Sequence, residues 1–162
     1  MNQKGQGLIE ALIALGAAVI IIAAITIAVI TAVSNSDFSK EQNLATGFAQ
    51  QGMEIVKQKT QLDWNSVATY SGTWCLPQET TDIYPLIAPS CQSTNVANQF
   101  VRLINFDQTS SICTGKDSAN IRQVEVTVKW RDGKCTADSI SNNYYCHQVV
   151  LDSCIANIYA TQ

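Results

Sequence analysis

From Ala11 to Val33 the chain reads ALIALGAAVIIIAAITIAVITAV, about 23 residues without a charge. No other feature limits the fold as much. As an α-helix the run would extend about 34 Å, enough to cross the ~30 Å hydrocarbon core of a bilayer. It is too long for a cleaved secretory signal, whose apolar region covers only about 7 to 15 residues. The preceding MNQKG holds one base, Lys4, and no acid. Positive flanks stay in the cytoplasm, so Ser34 onward is expected outside.

The apolar excess is local. The chain is 46% hydrophobic and 14% charged over 162 residues, yet the part after Ser34 has an ordinary soluble composition, which implies a membrane segment joined to one small domain. All six cysteines, Cys75, Cys91, Cys113, Cys135, Cys146 and Cys154, fall in the part expected to be exported, and none forms a CxxC. An even set without metal-type spacing in an oxidising compartment points to three disulfides rather than zinc or redox chemistry. Spacing alone leaves the connectivity open. A net charge of −3 and a pI near 5.0 supply no basic field, so strong nucleic-acid binding is not expected.

Ser34 to Lys59 contains no proline, so the helix is expected to continue to about Lys59, about 80 Å in all. Leu44, Phe48, Ile55 and Leu62, with Ala45, Ala49, Gly52 and Val56 alongside, form an apolar stripe that must pack on something. Lys57 and Lys59 complement the negative end of the helix dipole.

From Asp63 the texture turns polar, and Pro77, Pro85 and Pro89 all lie between Cys75 and Cys91, which marks a loop-rich, stapled region. Phe100 to Phe106 is a plausible strand. Ile121 to Trp130 alternates, with Val124, Val126, Val128 and Trp130 on one face and Glu125, Thr127 and Lys129 on the other. Asp132-Gly133 signals a turn, and Tyr144 to Asp152 reads as the next strand. Cys135 and Cys146 stand near the two ends of the connection between these strands, which makes them the preferred pair. The fold class is α+β: one long helix packed on a small antiparallel sheet with disulfide-stapled loops.

Glu10 is the single acid in the apolar N-terminus. A carboxylate at membrane depth costs about 2.5 to 3.5 kcal/mol on insertion scales. Cleavage after Gly5 would place a new α-amino group on Gln6, one helical turn from Glu10, and opposite charges attract strongly among packed helices. Pairing with a neighbouring subunit's amine would fix the axial offset between helices. The bland alternative leaves Glu10 at the headgroup level without a role.

The stretch KGQGLIEALIALG closely resembles the processing site of type IV pilins and of the pseudopilins of type II secretion systems. The likeness is specific to about residue 20. It is general to residue 60, where ATGFAQQGMEIVK resembles the helical spine of minor pilins; VEVTVKWRDGK and VVLDSCIANI resemble late strands of such proteins. The resemblance implies a pilin-like fold, cleavage between Gly5 and Gln6 by a prepilin peptidase, N-methylation of Gln6, and pairing of Glu10 with a neighbour's N-terminus.

It also implies partners: other pilin or pseudopilin subunits, the peptidase, an inner-membrane assembly platform, and membrane lipid before assembly. The subunit would start in the inner membrane and end in a periplasmic or cell-surface filament. Residues 1–5 would be the leader, 6–34 the transmembrane and polymerisation helix, 35–62 its amphipathic continuation, and 63–162 the disulfide-rich β domain. The first mature residue is Gln rather than the usual Phe, and the apolar run lacks the proline of many major pilins. That absence points to a minor or pseudopilin-like role.

Other chemistry is thinly represented. His147 is the only histidine and has no serine, acid or metal partner at a diagnostic spacing, so it reads as a strand residue; no enzyme, metal or cofactor is expected. Trp64, Trp74 and Trp130 read as core before they read as a sugar platform, and Lys129, Arg131 and Lys134 as a solvated turn. Two other classes compete: a single-pass anchor displaying a stapled adhesion domain, and an exported enzyme. The first explains the helix and cysteines but leaves Gly5 and Glu10 without a purpose.

Overall fold

The computed structural model describes residues 6–78, 84–85, 91, 96–108, 112–113, 120–133, 135 and 145–158. Two compact units divide the chain, 1–41 and 42–162. The first consists of the N-terminal part of helix α1, which runs Gln6–Leu62. Thr26 and Thr31 donate their hydroxyls to the carbonyls of Ile22 and Ile27, so polar atoms within the apolar run are satisfied on their own helix.

In the second unit the last turns of α1 lie on an antiparallel sheet. The helix ends at Leu62 because Asp63 leaves helical geometry and caps the five-residue α2, Trp64–Ala68, its carboxylate accepting from the Ser66 amide at 3.1 Å. Five strands follow: β1 Gly72–Cys75, β2 Tyr84–Pro85, β3 Val101–Asp107, β4 Ile121–Trp130 and β5 His147–Ala156. Their order across the sheet is β2-β1-β3-β4-β5, with every neighbour antiparallel. β1 opens on Gly72 at φ +71, a left-handed conformation that glycine adopts without strain.

Alternation along the strands assigns the faces. Phe100, Arg102, Ile104 and Phe106 stand beside Val124, Val126, Val128 and Trp130, and all eight are buried. This face meets α1: Phe48 and Phe100 pack edge to face with centroids 5.2 Å apart. On the opposite face Cys75, Cys91 and Val101 form a second buried cluster, flanked by Leu103 and Tyr145. Thr127, on the face opposite the valines as expected, is buried there with its hydroxyl donating to Glu125 at 3.2 Å. The sheet therefore has partial cover on both sides.

The helix stripe differs from the expected one. Ala45, Ala49, Gly52, Met53, Val56 and Thr60 are buried, whereas Leu44 and Leu62 are exposed. Small residues hold the centre because an arginine side chain fills the space opposite them. Arg102, fully buried, donates from Nε to the Leu76 carbonyl, from Nη1 to the Phe48 carbonyl and Gln51 Oε1, and from Nη2 to the Pro77 carbonyl, at 3.0 to 3.1 Å. A buried guanidinium is tolerable only with its donors satisfied. These bonds tie α1, β3 and the chain after β1 into one core.

The last strand begins later than expected, at His147 rather than Tyr144, and runs on to Ala156. Its register explains both ends: it pairs with all of β4, from Trp130↔His147 to Ile121↔Ala156, while Tyr145 packs on the Cys75–Cys91 cluster. β1 and β2 lie where only loops were expected. They are short, and their pairing depends on neighbours distant in sequence.

Three bridges join the six cysteines: Cys75–Cys91, Cys113–Cys154 and Cys135–Cys146. The last is the pair preferred from the strand spacing.

Candidate functional site

The N-terminal segment presents a continuous apolar surface. Every Leu, Ile and Val from Leu8 to Val33 is more than half exposed. Burying each such side chain is worth about 1.5 to 3 kcal/mol, so water is the wrong surrounding for this helix. α1 is long and apolar enough to cross a membrane, and none of its most apolar stretch is covered by the rest of the chain.

Glu10 interrupts that surface. It lines a shallow indentation with Ile9, Ile13 and Ala14, where the small Ala14 leaves room for a second helix to approach. Among the described residues no cation lies against its carboxylate. Gln6 opens α1 one turn earlier, and Gly5 lies outside the described residues. An isolated carboxylate on an apolar helix can accept a charged donor brought by another molecule, and in low dielectric such a contact is strong and directional.

The globular unit holds a second group of polar residues. His147 Nε2 lies 3.1 Å from Asp132 Oδ2, and the imidazole packs on Trp130 with ring centroids 5.4 Å apart. His147 is a strand residue as expected, opening β5, and Asp132 is an acid neighbour that spacing in the sequence did not reveal. Asp132 and His147 are far apart in sequence, and the Trp130↔His147 register brings them together.

The three tryptophans do not form a platform. Trp64 and Trp130 are buried, and Trp74 is half-buried with Nε1 donating to the Ser71 carbonyl at 2.9 Å. At the turn after β4, Lys129 is half-buried and Arg131 exposed, and Lys134 lies outside the described residues. A cleft of about 220 Å³ between α1 and β5 is lined by Met53, Glu54, Lys57 and Asp152, among others. Its charges are engaged locally: Lys57 pairs with Glu54 at 3.3 Å and Asp152 accepts from Gln123 at 3.1 Å.

Scans of family models, of curated proteins and of solved structures each found no match to this chain.

Proposed function

We propose that the chain is a structural subunit of a type IV pilus-like or type II secretion filament, in the role of a minor pilin or pseudopilin. The observation that carries this reading is Glu10, the one charge between Gln6 and Val33, a stretch of α1 whose Leu, Ile and Val side chains are all exposed. A membrane anchor needs only the apolar surface. The carboxylate adds a cost of about 2.5 to 3.5 kcal/mol at membrane depth that an anchor has no reason to bear.

Cleavage after Gly5 converts the cost into an assembly device. It exposes an amine on Gln6 that a neighbouring subunit's Glu10 receives, and the pairing sets the stagger of one helix against the next. The order of events is insertion with the leader in the cytoplasm, cleavage, then transfer of the helix from lipid into a bundle of like helices. The stapled β domain remains outside throughout. Support comes from the KGQGLIEALIALG motif, the length of α1 and the disulfides of an oxidising compartment.

The test separates processing from assembly. Gly5→Leu and Glu10→Ala are expressed in the cells that make the protein, and sheared filaments are probed for the subunit. Gly5→Leu is expected to stay uncleaved in the membrane, and Glu10→Ala to be cleaved but depleted from filaments. Equal incorporation of Glu10→Ala and wild type would show that Glu10 does not set the register, and absence of the wild-type subunit from sheared filaments would leave the single-pass adhesion anchor as the better account.

A further inference from the structure

We propose that Asp132, Cys135, Cys146 and His147 form a redox-gated zinc site, closed as a disulfide in the oxidised chain and opened by reduction. The ligand-capable atoms of these four residues, one from each, all lie within 4.8 Å of one another. Zinc takes cysteine sulfur at about 2.3 Å and histidine nitrogen or carboxylate oxygen at about 2.0 to 2.2 Å, so neighbouring ligand atoms of a tetrahedral site are roughly 3.3 to 3.8 Å apart. The Nε2–Oδ2 separation of 3.1 Å is close to that already.

Contacts other than the bridge hold the ligands on both sides. Asp132 and Cys135 belong to one turn, in which the Cys135 amide donates to the Asp132 carboxylate at 3.1 Å and to its carbonyl at 3.3 Å. Cys146 and His147 stand at the start of β5, which the ladder holds against the end of β4 through Trp130↔His147. Trp130 packs against the imidazole and limits its rotation. Both halves are thus carried by β4 and β5. Cysteine spacing alone conceals the set, because two of its members are Asp132 and His147.

The chemistry balances with a dithiol reductant. Thiol–disulfide exchange transfers two electrons and two protons: the dithiol becomes a disulfide, the Cys135–Cys146 bond breaks, and two thiols form. Zinc then displaces both thiol protons to the solvent, binding two thiolates, the neutral His147 imidazole through Nε2 and the Asp132 carboxylate. Bridge and metal exclude each other, since the same two sulfurs make either. Zinc binding therefore opposes reoxidation and pins the β4–β5 connection while the chain is reduced. This inference stands apart from filament assembly.

The full chain in detergent is titrated with zinc against a chromophoric chelator, oxidised and after reduction by a phosphine. One zinc is expected per reduced chain and none per oxidised chain. The Cys75→Ser/Cys91→Ser variant should retain the site, while His147→Gln and Asp132→Asn should each weaken it about tenfold or more. Cobalt should give the absorption of a tetrahedral thiolate complex. As a check independent of folding under reductant, Cys135→His/Cys146→His keeps the other two bridges and should bind one zinc while oxidised. Zinc on the oxidised wild type, none on the reduced chain, no binding by the double-histidine variant, or binding indifferent to His147→Gln and Asp132→Asn would overturn the proposal.

Discussion

A Cβ on Gly52 of α1 would lie 2.9 Å from Arg102 Cδ on β3 and 3.0 Å from Val126 Cγ1 on β4, so helix and sheet meet with no room for a methyl group. Alanine is the better helix former by about 0.8 to 1.0 kcal/mol, and at an exposed position Gly→Ala would stabilise. Here Arg102 is held by four hydrogen bonds and cannot swing aside without breaking them. Overpacking costs about 1 to 3 kcal/mol. Gly52→Ala is expected to lower stability, read as an earlier midpoint in denaturant; Gly47, with nothing within 4 Å of its Cβ position, should tolerate or gain from the same change.

Arg102→Met removes the donors from three carbonyls and the Gln51 amide oxygen. The expected loss is about 1 to 3 kcal/mol, since the Leu76 carbonyl is left buried without its donor while the other acceptors are partly open to water. Arg102→Lys should recover only part of it, because an ammonium cannot reproduce the planar fork. Equal stability of Arg102→Met and wild type would show that the cage is not needed.

Burial pushes the Arg102 guanidinium down from its ordinary range to about 10. A folded pKa below the unfolded value means that the native chain releases its proton first, so this group's contribution rises with pH above about 10 and is flat below about pH 9. The stability difference between wild type and Arg102→Met should therefore be the same at pH 5 and pH 8. Paired denaturation curves at the two pH values test this.

The bridges close loops of different length, with sequence separations of 41 for Cys113–Cys154, 16 for Cys75–Cys91 and 11 for Cys135–Cys146. Chain-entropy arguments assign them about 3.9, 3.1 and 2.8 kcal/mol respectively. Serine pairs replacing each bridge should follow that order, with one deviation: Cys75 and Cys91 are buried beneath Tyr145 and Leu103, so their loss adds a packing term. Denaturant midpoints of the three double variants measure the ranking.

Local pattern carried much of the fold. The apolar run, the absence of proline and the alternation of Ile121–Trp130 are periodicities that a reader can count, and α1 and β4 occur where those signals stand. What local pattern did not carry depends on register. Arg102 shares the side of β3 on which Phe100, Ile104 and Phe106 face the helix, and nothing in its local sequence marks it as the centre of a buried cage. Leu44 and Leu62 look like the spine of the buried stripe because size suggests burial, yet the arginine opposite Gly52 moves the centre to small residues. His147 acquires Asp132 only through the antiparallel pairing of β4 with β5. The residue on which the proposed function rests is legible directly, because Glu10 is the only charged residue of α1 before Val33.

The intact mass of the protein recovered from its native membrane, with the N-terminal peptide sequenced by fragmentation, tests the central claim most directly. The filament-subunit account predicts a chain that begins at Gln6, carries one added methyl group on its amine, and retains Glu10 and the whole apolar helix. A chain that begins at Met1, or one cut near residue 34 with the helix removed, would contradict it.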